Sequence, residues 1–145
     1  RYVTWPVSAF AGERAPWTVC VLGADHFGDA LERTFEGRRE QGRALAVLHD
    51  PAPERLRGCQ IVYIGHASAG RRRAVLESLR RLPVLTVGGA SDFLQEGGMI
   101  RLSAGERIEM GINLDEARRA SLVIPAKMLE VARIVIDNGV ERRWR

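Results

Sequence analysis

The chain of 145 residues is 46% apolar and 28% charged, close to a globular average, which sets aside a disordered body and fits one domain. A chain this long buries roughly 70% of the surface its unfolded form exposes, so its core needs neither a metal nor a disulfide framework. The net charge of +4 comes almost wholly from scattered arginines, Lys127 being the one lysine, and few aromatics stand where they could stack on bases, so nucleic acid is not an expected partner.

The chain opens without an initiator Met on Arg1-Tyr2-Val3-Thr4-Trp5-Pro6, which reads as the end of a longer element in a trimmed or processed protein. No signal peptide is visible, and no run reaches the roughly 20 apolar residues of a membrane span. Three segments then share one pattern: Val19-Cys20-Val21-Leu22-Gly23, Ile61-Val62-Tyr63-Ile64-Gly65 and Val84-Leu85-Thr86-Val87-Gly88 are short β-prone runs closed by glycine. Continuous apolar runs of this length are strands buried on both faces of a parallel sheet. A fourth run, Ala44 to Leu48, ends at His49-Asp50-Pro51.

Helices are expected between these strands. Asp25 N-caps one from His26 to about Phe35, ended by Gly37. A short turn covers Pro53 to Leu56. The helix from Ser68 to Arg81 turns Val75, Leu76, Leu79 and Leu82 inward and its arginines outward, and Pro83 stops it. Ser91 caps a helical turn through Phe93 and Leu94. Beyond Gly98, Met99 to Leu102 and Arg107 to Ile112 flank Ser103-Ala104-Gly105-Glu106, a hairpin signal. Asn113 caps a helix with Glu116 three residues on. A last helix runs from about Pro125 to Ile136, apolar on more than one face, so that it is either deeply buried or a subunit contact, and a basic tail follows from Glu141 to Arg145. The sum is an α/β three-layer sandwich: a mostly parallel sheet, an antiparallel hairpin toward the C-terminus, and helices on both faces.

Ligands of such sheets bind beyond the carboxyl ends of the strands, where Asp25, His26, His66 and Ser91 would converge on one crevice. The same residues serve equally as turn formers and helix caps. Catalysis finds little support. Gly23 to Gly28 lacks the lysine of a phosphate loop, Ser68 has no nucleophile elbow, and Cys20 lies inside an apolar strand where a thiol is inert. His26, His49 and His66 lack the spacing of metal ligands, so no metal or cofactor is expected. Cys20 and Cys59 fall on the first and third main strands, neighbours in a common doubly wound order. If the strand ends align, strand positions six and three residues before their glycines lie roughly 10 Å apart, too far to bridge. A bridge then requires staggered strands or a Cys59 in the approach loop, and spacing alone leaves bridge and free thiols both open.

Together Val3-Thr4-Trp5-Pro6, Cys20-Val21-Leu22-Gly23 with Phe27-Gly28, Gly58-Cys59-Gln60-Ile61-Val62-Tyr63-Ile64, Pro83-Val84-Leu85-Thr86-Val87-Gly88 with Phe93, Gly97-Gly98-Met99-Ile100, Ile112-Asn113-Leu114 with Ala117, and the stretch Leu129 to Ala132 resemble the YfiR-like family of periplasmic regulators. The resemblance implies an exported, dimer-forming α/β domain without catalytic residues, lacking here its signal peptide and part of a first helix. It implies that Cys20 pairs with Cys59. It further implies a partner, a membrane-bound diguanylate cyclase that the domain restrains from the periplasmic side in cyclic-di-GMP signalling. A second cysteine pair of the family, across Leu94 to Arg101, is missing, so a redox-sensing role does not carry over. The other function the residues allow is a periplasmic receptor holding a small ligand in the crevice at the strand ends.

Overall fold

A computed structural model describes residues 3–23, 33, 36–104 and 106–143. Its strands are β1 (Trp17–Gly23), β2 (Arg39–Glu40), β3 (Arg43–His49), β4 (Ile61–Gly65), β5 (Leu85–Gly88), β6 (Ile100–Ala104), β7 (Ile108–Asn113), β8 (Ile134–Asp137) and β9 (Val140–Arg143). They form one nine-stranded sheet in the order β2-β3-β1-β4-β5-β6-β7-β8-β9. The pairs β1/β3, β1/β4, β4/β5, β5/β6 and β7/β8 are parallel; β2/β3, β6/β7 and β8/β9 are antiparallel. The three apolar runs ending in glycine are β1, β4 and β5, side by side in the middle of the sheet, and the hairpin after Gly98 is β6/β7.

Because side chains alternate along a strand, the sheet carries a core on each face. Cys20 and Leu22 of β1 with Val62 and Ile64 of β4 pack under Leu76 and Leu79 of helix α1 (Ala69–Ser78) and its exit. On the other face Leu85, Ile100, Ile112 and Val135 meet Leu114 and Ala117 of α2 (Leu114–Arg119) and the segment Ala120 to Ile124, with Met128 and Leu129 of α3 (Ala126–Val131) packed alongside. Helices therefore cover both faces, as the pattern requires.

The caps read from sequence hold locally. Ser68 Oγ accepts from Arg71 N–H at 3.3 Å, and Asn113 Oδ1 accepts from Glu116 N–H at 3.2 Å, each satisfying an orphan donor of a first turn. The helix expected over 26–35 falls almost wholly outside the described residues. Residues 91–97 form successive turns in place of the expected helical turn, with Phe93 N–H bonded to Ala90 C=O at 3.0 Å.

The C-terminus differs most from expectation. Helix α3 ends at Val131, not near Ile136, and residues 141–143, expected in a tail, are strand. The β-branched run Ile134-Val135-Ile136 prefers a strand and pairs in parallel with Gly111-Ile112-Asn113 of β7. Asn138 and Gly139 then take φ of 53° and 75°, a two-residue turn whose twist suits a hairpin. Asp115 locks that turn from α2, its Oδ1 accepting from Asn138 N–H at 2.7 Å and its Oδ2 from Gly139 N–H at 2.8 Å. These amides, the Gly139 one foremost, hold the Asp115 carboxyl below its ordinary range against the effect of burial. The apolar residues that seemed to crowd one helix are thus shared between a short helix and a strand, and a subunit contact no longer follows from them.

Candidate functional site

The chain runs from β1 out to β3, then returns across β1 to β4. Strand order reverses there, and beyond the carboxyl ends of such strands parallel sheets hold ligands. A crevice of about 400 Å³ opens at this point, its wall including Leu22, Asp50, Pro51, Leu56, His66 and Val75. The lining is mainly apolar with a few polar groups, the usual make-up of a small-molecule pocket.

Its rim is tightly set. The register places Gly23 opposite Gly65, and Gly23 alone of the three strand-end glycines has a positive φ, 74°. A Cβ on Gly23 would stand 2.7 Å from the backbone nitrogen of His66. Asp50, at φ 45°, gives its N–H to Val21 C=O at 2.8 Å and accepts from Gly23 N–H through Oδ1 at 3.0 Å. Positive φ and close approach both demand glycine. Gly23→Ala is therefore expected to cost about 2 kcal/mol, most of it strain, and to displace His66; a urea titration and the shift of the His66 ring resonances check it.

Of the four residues expected to converge, His66 lines the crevice. Asp25 and His26 lie outside the described residues. Ser91 is exposed in the turn after β5 and is not part of the wall. Among the described residues no group of three or more His, Cys, Asp or Glu side chains could hold a metal ion. The arrangement suits holding a molecule against an apolar wall.

Cys20 and Cys59 are disulfide-bonded, with Cα atoms 6.2 Å apart, and both are buried. The strand ends are aligned, so of the two routes to a bridge the second applies: Cys59 precedes β4, closing the 3-10 turn Pro53–Gly58. The next residue fixes this loop. Gln60 is buried, gives its N–H to Thr18 C=O at 3.0 Å, accepts from Thr18 N–H through Oε1 at 2.7 Å, and donates through Nε2 to Ala9 C=O at 2.6 Å.

At the opposite end of the sheet a second groove of about 250 Å³ is lined by Trp5, Trp17, Leu45, Ile61, Glu40 and Gln41. Trp5 and Phe10 each set a ring edge-to-face with Trp17, at 5.1 and 4.8 Å, and the Arg43 guanidinium lies 3.7 Å from the Phe10 centroid. The aromatics come from three points of an aperiodic segment, so no spacing rule would have gathered them.

One pair that sequence reasoning missed did leave a signal. Arg72, expected on the outer face of α1, is buried and forms a two-pronged bond to Glu96, Nε to Oε1 and Nη2 to Oε2, each at 2.7 Å. Its Nη1 also donates to the carbonyls of His66 and Ala67 at 3.1 and 2.8 Å. Arg72 precedes Val75, Leu76 and Leu79 by three, four and seven residues, which places it on the apolar stripe; a charge there calls for a buried partner. The pair joins the loop after β4, which carries His66, to the turns after β5. Among the described residues no helix is long and apolar enough to cross a membrane. A family model described as YfiR/HmsC-like matches residues 1–133.

Proposed function

The chain belongs to the YfiR/HmsC-like family, and from that premise we propose that it is a non-catalytic periplasmic regulator that binds and restrains a membrane-bound diguanylate cyclase. The observation that carries this reading is the extent of the family match, residues 1–133, which takes in the crevice and both cores apart from Val135. The Cys20–Cys59 bridge supports an oxidising compartment, since such bonds persist there and are reduced in the cytosol. The test is site-specific photocrosslinking of the exported protein in cells. The expected product contains an inner-membrane protein bearing a GGDEF domain; crosslinks confined to soluble periplasmic proteins would remove the proposal.

A second reading, a receptor for a small ligand, draws on the crevice at the switch point and its His66 wall. A thermal-shift screen with metabolites separates the two: a stabilisation abolished by His66→Ala supports the receptor, and one unaffected by that change places the ligand elsewhere. The two readings are compatible if occupancy of the crevice is the signal that releases the cyclase. The protein is further taken to act as a homodimer.

A further inference from the structure

Among the described residues the sheet ends on β9, whose outer side has no strand beside it. In a two-residue hairpin the residues flanking the turn bond to each other, so Val140 and, two residues on, Arg142 direct their N–H and C=O groups to β8, in register with Asp137 and Val135. Glu141 and Arg143 therefore point their backbone groups away from the sheet. All four residues of β9 are exposed. The hairpin that carries them is pinned by Asp115 at its turn, so the edge is held in strand geometry before any partner arrives. Such a row of unpaired groups is a template for another strand.

The side chains on this edge select the partner. Glu141 and Arg143 share one face, Arg143 Nε lying 2.8 Å from Glu141 Oε2. When a strand pairs antiparallel with its own copy about a two-fold axis through Arg142, Glu141 of each stands opposite Arg143 of the other. This register joins the outward backbone groups and sets opposite charges face to face twice. A register centred on Glu141 sets that carboxylate against its own copy and leaves Arg143 opposite Gly139, with no opposite-charge pair. The Arg142 register carries one like-charge pair, Arg142 against its copy, on the other face of the sheet. A surface complementary to itself under a two-fold is what a closed dimer needs.

We propose that β9 is the seam of a homodimer in which the sheet runs on through the two-fold axis from one protomer to its partner. This deepens the proposal that the protein acts as a homodimer, and it replaces the subunit contact expected of the final helix.

Sedimentation equilibrium on the full oxidised chain tests it. The wild type is expected to dimerise, more weakly at high salt. Glu141→Arg and Arg143→Glu each set like charges opposite one another and should raise the dissociation constant by about tenfold. The double variant Glu141→Arg/Arg143→Glu restores the pairing and should return it close to the wild-type value. Glu141→Pro removes an outward N–H that β8 does not use and should give a folded monomer with an unchanged far-ultraviolet circular dichroism spectrum. A monomeric wild type, a dimer indifferent to these changes, or a double variant as weak as the singles would overturn the seam. None of those results bears on the cyclase, which the crosslinking reports separately.

Discussion

Arg72→Met is expected to cost about 3 kcal/mol at neutral pH, because the Glu96 side chain is left behind as a buried charge with no partner. The carboxylate is only 2% exposed and the guanidinium 8%, so water cannot replace the lost bonds. The Arg72 hydrogen bond, reinforced by attraction to Arg72 and Arg73 and opposed by burial, holds the Glu96 carboxyl below its ordinary range. A depressed folded-state value means that this contribution is present above the unfolded carboxylate range and disappears as pH falls through the folded value. In the variant the sign reverses. Burial without the arginine raises the Glu96 carboxyl, so the penalty is largest at neutral pH and shrinks as the medium is acidified. Urea titrations of wild type and Arg72→Met from about pH 2 to about pH 7 read both curves. Arg72→Met/Glu96→Leu, which removes the stranded charge, should recover most of the loss, giving a coupling energy of the same order. The crevice responds too, since Arg72 also holds the carbonyls of His66 and Ala67.

Removing the disulfide has an effect of similar size by a different route. The bridge joins cysteines 39 residues apart in sequence, and in the chain-entropy account closing a loop of that length in the unfolded chain stabilises by about 4 kcal/mol. Domains of this kind have roughly 5–15 kcal/mol in all, so Cys20→Ala/Cys59→Ala should lower the unfolding midpoint by about 12–16 °C. The reduced wild type should melt near the double variant. Calorimetry with and without reductant checks the pair of expectations, and the native oxidised protein should show no reactive thiol. A chain retained in the cytosol would lack this contribution.

How much of this was legible beforehand depended on whether the information was local. The central strands were, because Val19–Gly23, Ile61–Gly65 and Val84–Gly88 are short, mostly apolar, β-prone runs and each ends at a glycine. The caps at Ser68 and Asn113 were as well, since a cap bonds within its own first turn. The C-terminus was misread because Met128, Leu129, Ala132 and Val135 happen to fit a helical period, although Ile134 to Ile136 before Asn138-Gly139 carries the stronger strand and turn chemistry. Arg72 was misjudged as a solvated charge in the run Arg71 to Arg73, when its distance from Leu76 and Leu79 placed it inside. The disulfide could not be settled from spacing, since the answer lay in whether Cys59 belonged to the strand or to the turn before it. Half of the expected crevice, Asp25 and His26, lies outside the described residues. Ser91 ends beyond β5 because strand order, which no single segment encodes, sets the distance between strand ends.

The central claim is that an oxidised, exported protein restrains a cyclase by binding and not by chemistry. Cellular cyclic-di-GMP in four strains measures this directly: wild type, a deletion, the deletion complemented with the exported chain, and the deletion complemented with a form confined to the cytosol. The account predicts a raised level in the deletion, brought down by the exported form and left high by the cytosolic one. Levels that do not change on deletion, or that the cytosolic form restores equally well, would contradict it.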